Sequence, residues 1–186
     1  MSGEEANDQQ RTHARVRSPE HLSASHDLSE FRNGKHPSLD DWLRDRALAS
    51  EGLSARTYVV CESAAPGRVI GYYAISTAAE QRIALPSAKL RRGMPERIPL
   101  LLIGRLAVDQ AFQRQGLGTD LLADALQRCL AAADIAGARG VIAHAIDEDA
   151  VAFYERHGFQ RAPLGERVML IPMEFIRALF KEATPE

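Results

Sequence analysis

Two short stretches of this chain hold residue types at spacings that could do chemistry. The first is Gln113-x-x-Gly116-x-Gly118, between the apolar run Pro99 to Val108 and a long apolar-periodic helix starting near Leu117. The first N–H groups of a helix have no intrahelical partners. With the helix dipole they attract an anion. Gly116 and Gly118 let the backbone approach a phosphate with no Cβ in the way. A tight turn without a ligand would use the same residues. Leu121 stands where a dinucleotide fingerprint has its third glycine, and no Gly-Lys-Ser/Thr is present, so neither of those phosphate motifs applies. The second stretch is Ala152-Phe153-Tyr154-Glu155-Arg156-His157-Gly158-Phe159. Tyr154 is a candidate proton donor, and by itself equally a core aromatic. His144 is a possible base, but a strand-end histidine with a structural bond is the more economical reading. Cys61 and Cys129 fall on a strand and on an apolar helical stripe and read as packing, not as nucleophiles.

These residues need a scaffold. Residues 1 to about 25 carry mixed charges and no apolar period, and are expected to form a disordered tail. Residues 26 to 186 are expected to form one domain. Ser38, with Asp41 three residues on, has capping-box spacing for a helix carrying Leu39, Leu43 and Ala47. Gly52 should stop that helix. Thr57–Cys61 and Val69–Ile75 read as a hairpin around Ala64-Ala65-Pro66-Gly67. Residues 76 to 97 read as irregular. Pro99 to Val108 reads as a central strand buried on both faces. Leu117, Leu121, Ala125, Cys129 and Ala133 then make one helical stripe that Gly137 ends. Gly140–Ala145 is a further strand, and Asp147 caps a helix ending at Gly158. Val168–Ile171 is the last strand. Pro172 opens a terminal helix with Phe175, Ile176, Leu179 and Phe180 inward. The order implies an α/β fold with a mixed sheet and helices on both faces.

Composition narrows the function. The chain has 186 residues, 45% hydrophobic and 26% charged, which is ordinary globular usage. Its net charge of −2 excludes coating nucleic acid by bulk positive charge. From Arg82 to Arg114, however, seven basic residues face two acidic ones, a local +5 that suits an anionic ligand or a solvated loop. Two cysteines make neither a disulfide framework nor a metal-ligand spacing, so no metal is expected. No run approaches about 18 apolar residues, and the N-terminal segment lacks a signal-like apolar core. No membrane association and a cytoplasmic location are expected.

Taken together, Gln113-x-x-Gly116-x-Gly118, a strand, and Phe153-Tyr154-x-x-x-Gly158-Phe159 resemble the GNAT superfamily of acyl-CoA N-acyltransferases, over about Leu28 to Leu179. The resemblance implies the GNAT fold, with a mixed, mostly antiparallel sheet, and acetyl-CoA as co-substrate. It places the pyrophosphate on Gln113, Arg114, Gln115, Gly116, Leu117, Gly118 and Thr119. It places the pantetheine arm along Leu106, Ala107 and Val108, with Phe153 beside the cofactor and Tyr154 at the thioester sulfur as general acid.

A narrower likeness runs through Phe31-x-x-Gly34, Leu39-Asp40-Asp41-Trp42-Leu43, Val69-Ile70-Gly71-Tyr72-Tyr73, Met94-Pro95-x-x-Ile98-Pro99 and Leu102-Ile103-Gly104-Arg105. These stretches are similar to the GNAT toxins of bacterial toxin–antitoxin pairs. That likeness implies acetylation of the α-amino group of aminoacyl-tRNA, a block of translation, a ribbon-helix-helix antitoxin and a homodimer. Arg32-Asn33 departs from it, since such toxins more often carry an Asp and a small residue there. A basic face beside the active site would suit a tRNA acceptor end, with Arg91 and Arg92 as the first candidates for phosphate contact. Acetylation of a protein N-terminus, a lysine or a small amine is the alternative. A non-catalytic acyl-CoA-binding module is disfavoured because the glycines and the tyrosine are both present.

Overall fold

The computed structural model describes residues 16–85 and 87–182. It begins with β1 (Glu20–His21) and a helix α1 that is α-helical over Pro37–Trp42, π-helical over Leu43–Ala47 and closed by an α turn at Leu48–Ser50. β2 (Arg56–Cys61), β3 (Val69–Gln81), α2 (Ala88–Arg91) and β4 (Arg97–Val108) follow. The chain continues through α3 (Leu117–Ala136), β5 (Gly140–His144), α4 (Glu148–Arg156), β6 (Gln160–Arg161), β7 (Val168–Pro172) and α5 (Met173–Glu182). Among the described residues the strands form one mixed sheet ordered β1-β2-β3-β4-β5-β7-β6. β4 and β5 are parallel over Leu101–Ile103 and Val141–Ala143, while β1–β2, β2–β3, β5–β7 and β6–β7 are antiparallel. The mixed, mostly antiparallel α/β sheet is the one expected.

The chain packs as two compact units, each with its own apolar cluster. One comprises the residues up to Ile75 with Arg105–Ala125, the other Ser76–Gly104 with the residues from Leu126 on. In the first, Phe31, Leu39, Leu43, Val59, Cys61 and Tyr72 bury together. Tyr72 meets Phe31 edge-on at 5.5 Å, stacks on Trp42 at 5.9 Å and donates from its hydroxyl to the Leu39 carbonyl at 2.8 Å. Gly71 suits this close packing, because a Cβ there would lie 3.0 Å from Leu121 and 3.1 Å from Val60 and those side chains would have to give way. In the second, Leu85, Leu90, Ile98, Leu100, Ile142 and Leu170 form the cluster. The α3 stripe Leu117, Leu121, Ala125, Cys129 and Ala133 is buried throughout, as its spacing requires.

Five expectations change. The expected disorder does not extend to residue 25. Glu20 and His21 pair with Val59 and Tyr58, and Leu22 is buried. A two-residue strand held by backbone bonds leaves no apolar period to read. Residues 1–15 of the expected tail lie outside the described residues. Ser38 is not the helix cap. Pro37 occupies the first helical position and His36 precedes it without a side-chain cap, because a proline at that point needs no N–H partner and already has helical φ. Residues 76 to 97 are irregular only in part. β3 runs on to Gln81, and α2 is capped by Ser87, whose Oγ accepts from the Leu90 N–H at 3.3 Å. On α5, Ile176 is buried while Phe175 and Leu179 are exposed, so the inward stripe is narrower than expected. β4 is buried on both faces only over Leu100–Leu101 and Ala107–Val108, and Arg105 is exposed, its guanidinium 5.5 Å from the Trp42 ring.

Candidate active site

The first unit holds the strand end and glycine turn. Asp109 donates its N–H to the Ile70 carbonyl at 2.8 Å. The Val108 carbonyl, on the same peptide, accepts from Gln113 Nε2 at 3.0 Å and Asn33 Nδ2 at 3.3 Å. Gln113 Nε2 also donates to the Asn33 carbonyl at 2.8 Å. A glutamine amide has two N–H donors, so both are used inside the protein. What Gln113 can offer an anion is its backbone.

The Arg32–Gly34 loop is stitched to this end by buried acids. Asp109, 3% exposed, accepts from the Arg32 N–H at 3.0 Å and the Ala111 N–H at 2.9 Å. Asp40, 6% exposed, accepts from the Asn33 N–H at 2.8 Å. Asn33, Asp40 and Asp109 were not among the sequence-derived site residues. The unusual Arg32-Asn33 pair marked this loop without revealing what it binds.

Beyond Gln113 the backbone turns sharply. Arg114 has φ +60° and Gly116 has φ +85°. A non-glycine residue at positive φ is uncommon and occurs where surroundings hold it. A Cβ built on Gly116 would meet nothing within 4 Å, so open space faces the turn just before α3, a 20-residue helix. This shape fits a diphosphate: a helix start, where the first N–H groups lack intrahelical partners, and a glycine whose side chain would fill the space.

The second unit holds the tyrosine. Asp147 Oδ1 accepts from the Ala150 N–H at 2.8 Å, capping α4 as expected. Tyr154 on that helix is 6% exposed, with Phe153 at 5.5 Å and Phe159 at 5.1 Å between ring centroids. Among the described residues its hydroxyl makes no hydrogen bond. Burial pushes the pKa of Tyr154 well up, because the phenolate would lose its hydration. It therefore stays protonated across the neutral range. His144, at the end of β5, is exposed. Among the described residues its ring makes no hydrogen bond, so the structural bond expected of it is absent there.

Arg91 ends α2 and Arg92 follows it. Both line a cleft of about 450 Å³ with Gln81, Arg82, Ile83, Ala88 and Glu96. Among the described residues neither guanidinium has a carboxylate partner. Burial pushes the Cys61 thiol up and the Cys129 thiol up to about 12, so neither is a ready thiolate nucleophile. Glu20, His26 and Cys61 bring potential ligand atoms within 4.8 Å of one another. The Ser23 N–H, however, donates to His26 Nδ1 at 3.0 Å. That leaves the ring proton on Nε2, facing Glu20 at 3.4 Å, where a metal would need the lone pair.

Residues 54–161 match the acetyltransferase (GNAT) domain family. The chain belongs to that family and is an acetyltransferase. It is 40% identical over 162 residues to a tRNA-acetylating toxin of Mycobacterium tuberculosis, covering 87% of this chain and 95% of that protein. AtaT complexed with acetyl-methionyl-tRNAfMet superposes with a TM-score of 0.82 at 29% identity, over 89% of this chain and 99% of that one. A tyrosine-to-phenylalanine mutant of AtaT, bound to the C-terminus of the antitoxin AtaR and acetyl-CoA, gives 0.72 at 27% identity, over 89% and 98%.

Proposed function

We propose that this acetyltransferase is a toxin that moves an acetyl group from acetyl-CoA to the α-amino group of aminoacyl-tRNA and thereby blocks translation. The relatives named above support the substrate class. The observation that carries it in this chain is the basic α2 segment, where Arg91 and Arg92 line a cleft and, among the described residues, have no carboxylate partner. Phosphates of an acceptor end are suitable partners for such unpaired guanidinium groups.

The pyrophosphate of acetyl-CoA lies on the backbone of Gln113–Thr119, the pantetheine arm runs along Leu106–Val108, and Phe153 packs beside it. The substrate amine attacks the acetyl carbonyl while the Val108 N–H polarises the oxygen. A carbon–nitrogen bond forms, the carbon–sulfur bond breaks, and sulfur leaves with the electron pair. Tyr154 donates its O–H proton to that sulfur. A phenolate is costly among the rings around Tyr154, so the proton is replaced at once from the ammonium of the product amide's precursor. A free α-amine has a pKa near 8, against about 10.4 for lysine. An ester lowers it further, and much of the amine is nucleophilic at neutral pH without a protein base. The protein works in the cytoplasm as a homodimer and is restrained by a ribbon-helix-helix antitoxin.

The test is Arg91→Glu with Arg92→Glu. Charged-tRNA affinity should fall while CoA affinity stays, and wild-type tRNA affinity should drop steeply with salt as counterions are released. A flat salt dependence with equal activity in the double variant would point to a small-molecule or protein amine.

A further inference from the structure

The Val108–Asp109 peptide is held on both sides. In an extended strand the N–H and C=O of one residue point to the same edge, and the next residue points to the opposite one. Asp109 N–H is bonded to Ile70 on β3 at 2.8 Å, so Val108 presents both its polar groups to the other edge. There its carbonyl is held by Gln113 and Asn33. The ladder from β4 to β5 is formed at Leu101–Ile103, and β4 runs on to Val108. With the carbonyl gripped by two amides and the next N–H by β3, the Val108–Asp109 peptide plane is fixed from both sides, and the Val108 N–H, on the preceding peptide, takes its direction from the extended strand that this fixed end anchors.

We infer that Gln113 is a positioning residue for acyl transfer: its amide fixes the Val108 backbone that polarises the thioester carbonyl, and its side chain does not ligate the pyrophosphate. The inference rests on the reading that the end of β4 receives the thioester. Both side-chain donors point to protein carbonyls, so none is left for a phosphate oxygen. An oxyanion donor works only if aimed before the reaction, which is what the doubled grip on Val108 provides. Asn33 assists, its backbone N–H held by Asp40 and its Oδ1 accepting from the His36 N–H at 3.1 Å.

Gln113→Leu removes the donors, and Gln113→Glu sets a carboxylate oxygen against two carbonyls. In the CoA-free variants the Asp109 amide should exchange hydrogen faster than in wild type. CoA affinity by calorimetry should stay within about twofold, while single-turnover transfer to charged tRNA at saturating acetyl-CoA falls about tenfold or more. Gln113→Arg, which restores N–H donors, should recover most of that rate. A CoA Kd raised about tenfold with the saturated rate unchanged would make Gln113 a cofactor ligand and overturn the inference. Wild-type rates in both donor-less variants would overturn it as well. If Gly116→Val leaves CoA affinity unaltered in folded protein, the cofactor reading itself fails, whatever Gln113 does.

Discussion

Around Val108 the neighbours are amides and carboxylates: Gln113, Asn33, Asp109 and Asp40 pair with backbone N–H and C=O groups at 2.8–3.3 Å. Around Tyr154 the neighbours are rings, Phe153 and Phe159 within 5.5 Å. The first region fixes directions. It can present backbone N–H groups to an extended, anionic molecule because each peptide is tied from behind. The second region fixes a protonation state. It buries one ring and, among the described residues, gives its hydroxyl no protein partner, so burial holds the hydroxyl in its protonated form. A general acid built like the first region would be satisfied by its neighbours, and a phosphate cradle built like the second would repel charge.

The largest expected effect breaks the second region without touching the first. Tyr154→Phe keeps the ring packing and removes the donor. Transfer at saturating acetyl-CoA should fall by about 10²–10⁴-fold, the usual scale of general acid catalysis. CoA affinity should not change. Stability should shift by less than about 0.5 kcal/mol, since no protein hydrogen bond among the described residues is lost. Turnover near that of wild type would leave Tyr154 a packing residue.

Gly116→Val breaks the first region. A β-branched residue at φ +85° is strained and fills the space before α3. Strain of this kind costs on the order of 1–3 kcal/mol. CoA Kd, measured on protein shown to be folded, should rise about tenfold to a hundredfold, or about 1.4–2.8 kcal/mol. Restoring the rate by raising acetyl-CoA would separate this loss from that of Tyr154→Phe.

A smaller effect sharpens the point that apolar surroundings suppress ionisation. The Cys129 thiol moves from its ordinary 9.0 up to about 12 on folding. Its protonated form is favoured in the fold, so its stabilisation is whole below pH 9 and is lost as pH rises toward 12. Between pH 9 and 10, below the tyrosine range, Cys129→Ala should reduce the fall of stability with pH by up to about 1.4 kcal/mol per unit. Urea melts at the two pH values check this, and equal slopes in wild type and variant would contradict it. Cys61, also pushed up by burial, acts in the same direction and remains in the variant.

The two regions were unequally legible in the sequence. Tyr154 announces itself, because the Asp147 cap, the apolar spacing and Gly158 all lie within a dozen residues of it. The glycine turn is legible for the same reason. The grip on Val108 is not: Gln113 meets Asn33 across 80 residues and Asn33 meets Val108 across 75. Single amide-to-carbonyl pairs at such separations leave no period to detect. β1 was missed because two residues carry no alternation. Phe175 and Leu179 were misplaced because two apolar rows on α5 competed, and Ile176 took the core.

The central claim is that the directed backbone and the withheld proton together serve one acceptor, the α-amine of charged tRNA. The direct measurement incubates the protein with acetyl-CoA and total charged tRNA, alongside deacylated tRNA, a lysine peptide, a peptide with a free N-terminus and a polyamine, and locates the acetyl group by mass spectrometry. The account predicts N-acetyl-aminoacyl-tRNA as the main product, with formation lost in Tyr154→Phe. Acetyl on the peptides or polyamine at equal or greater rate, with charged tRNA unmodified, would contradict it.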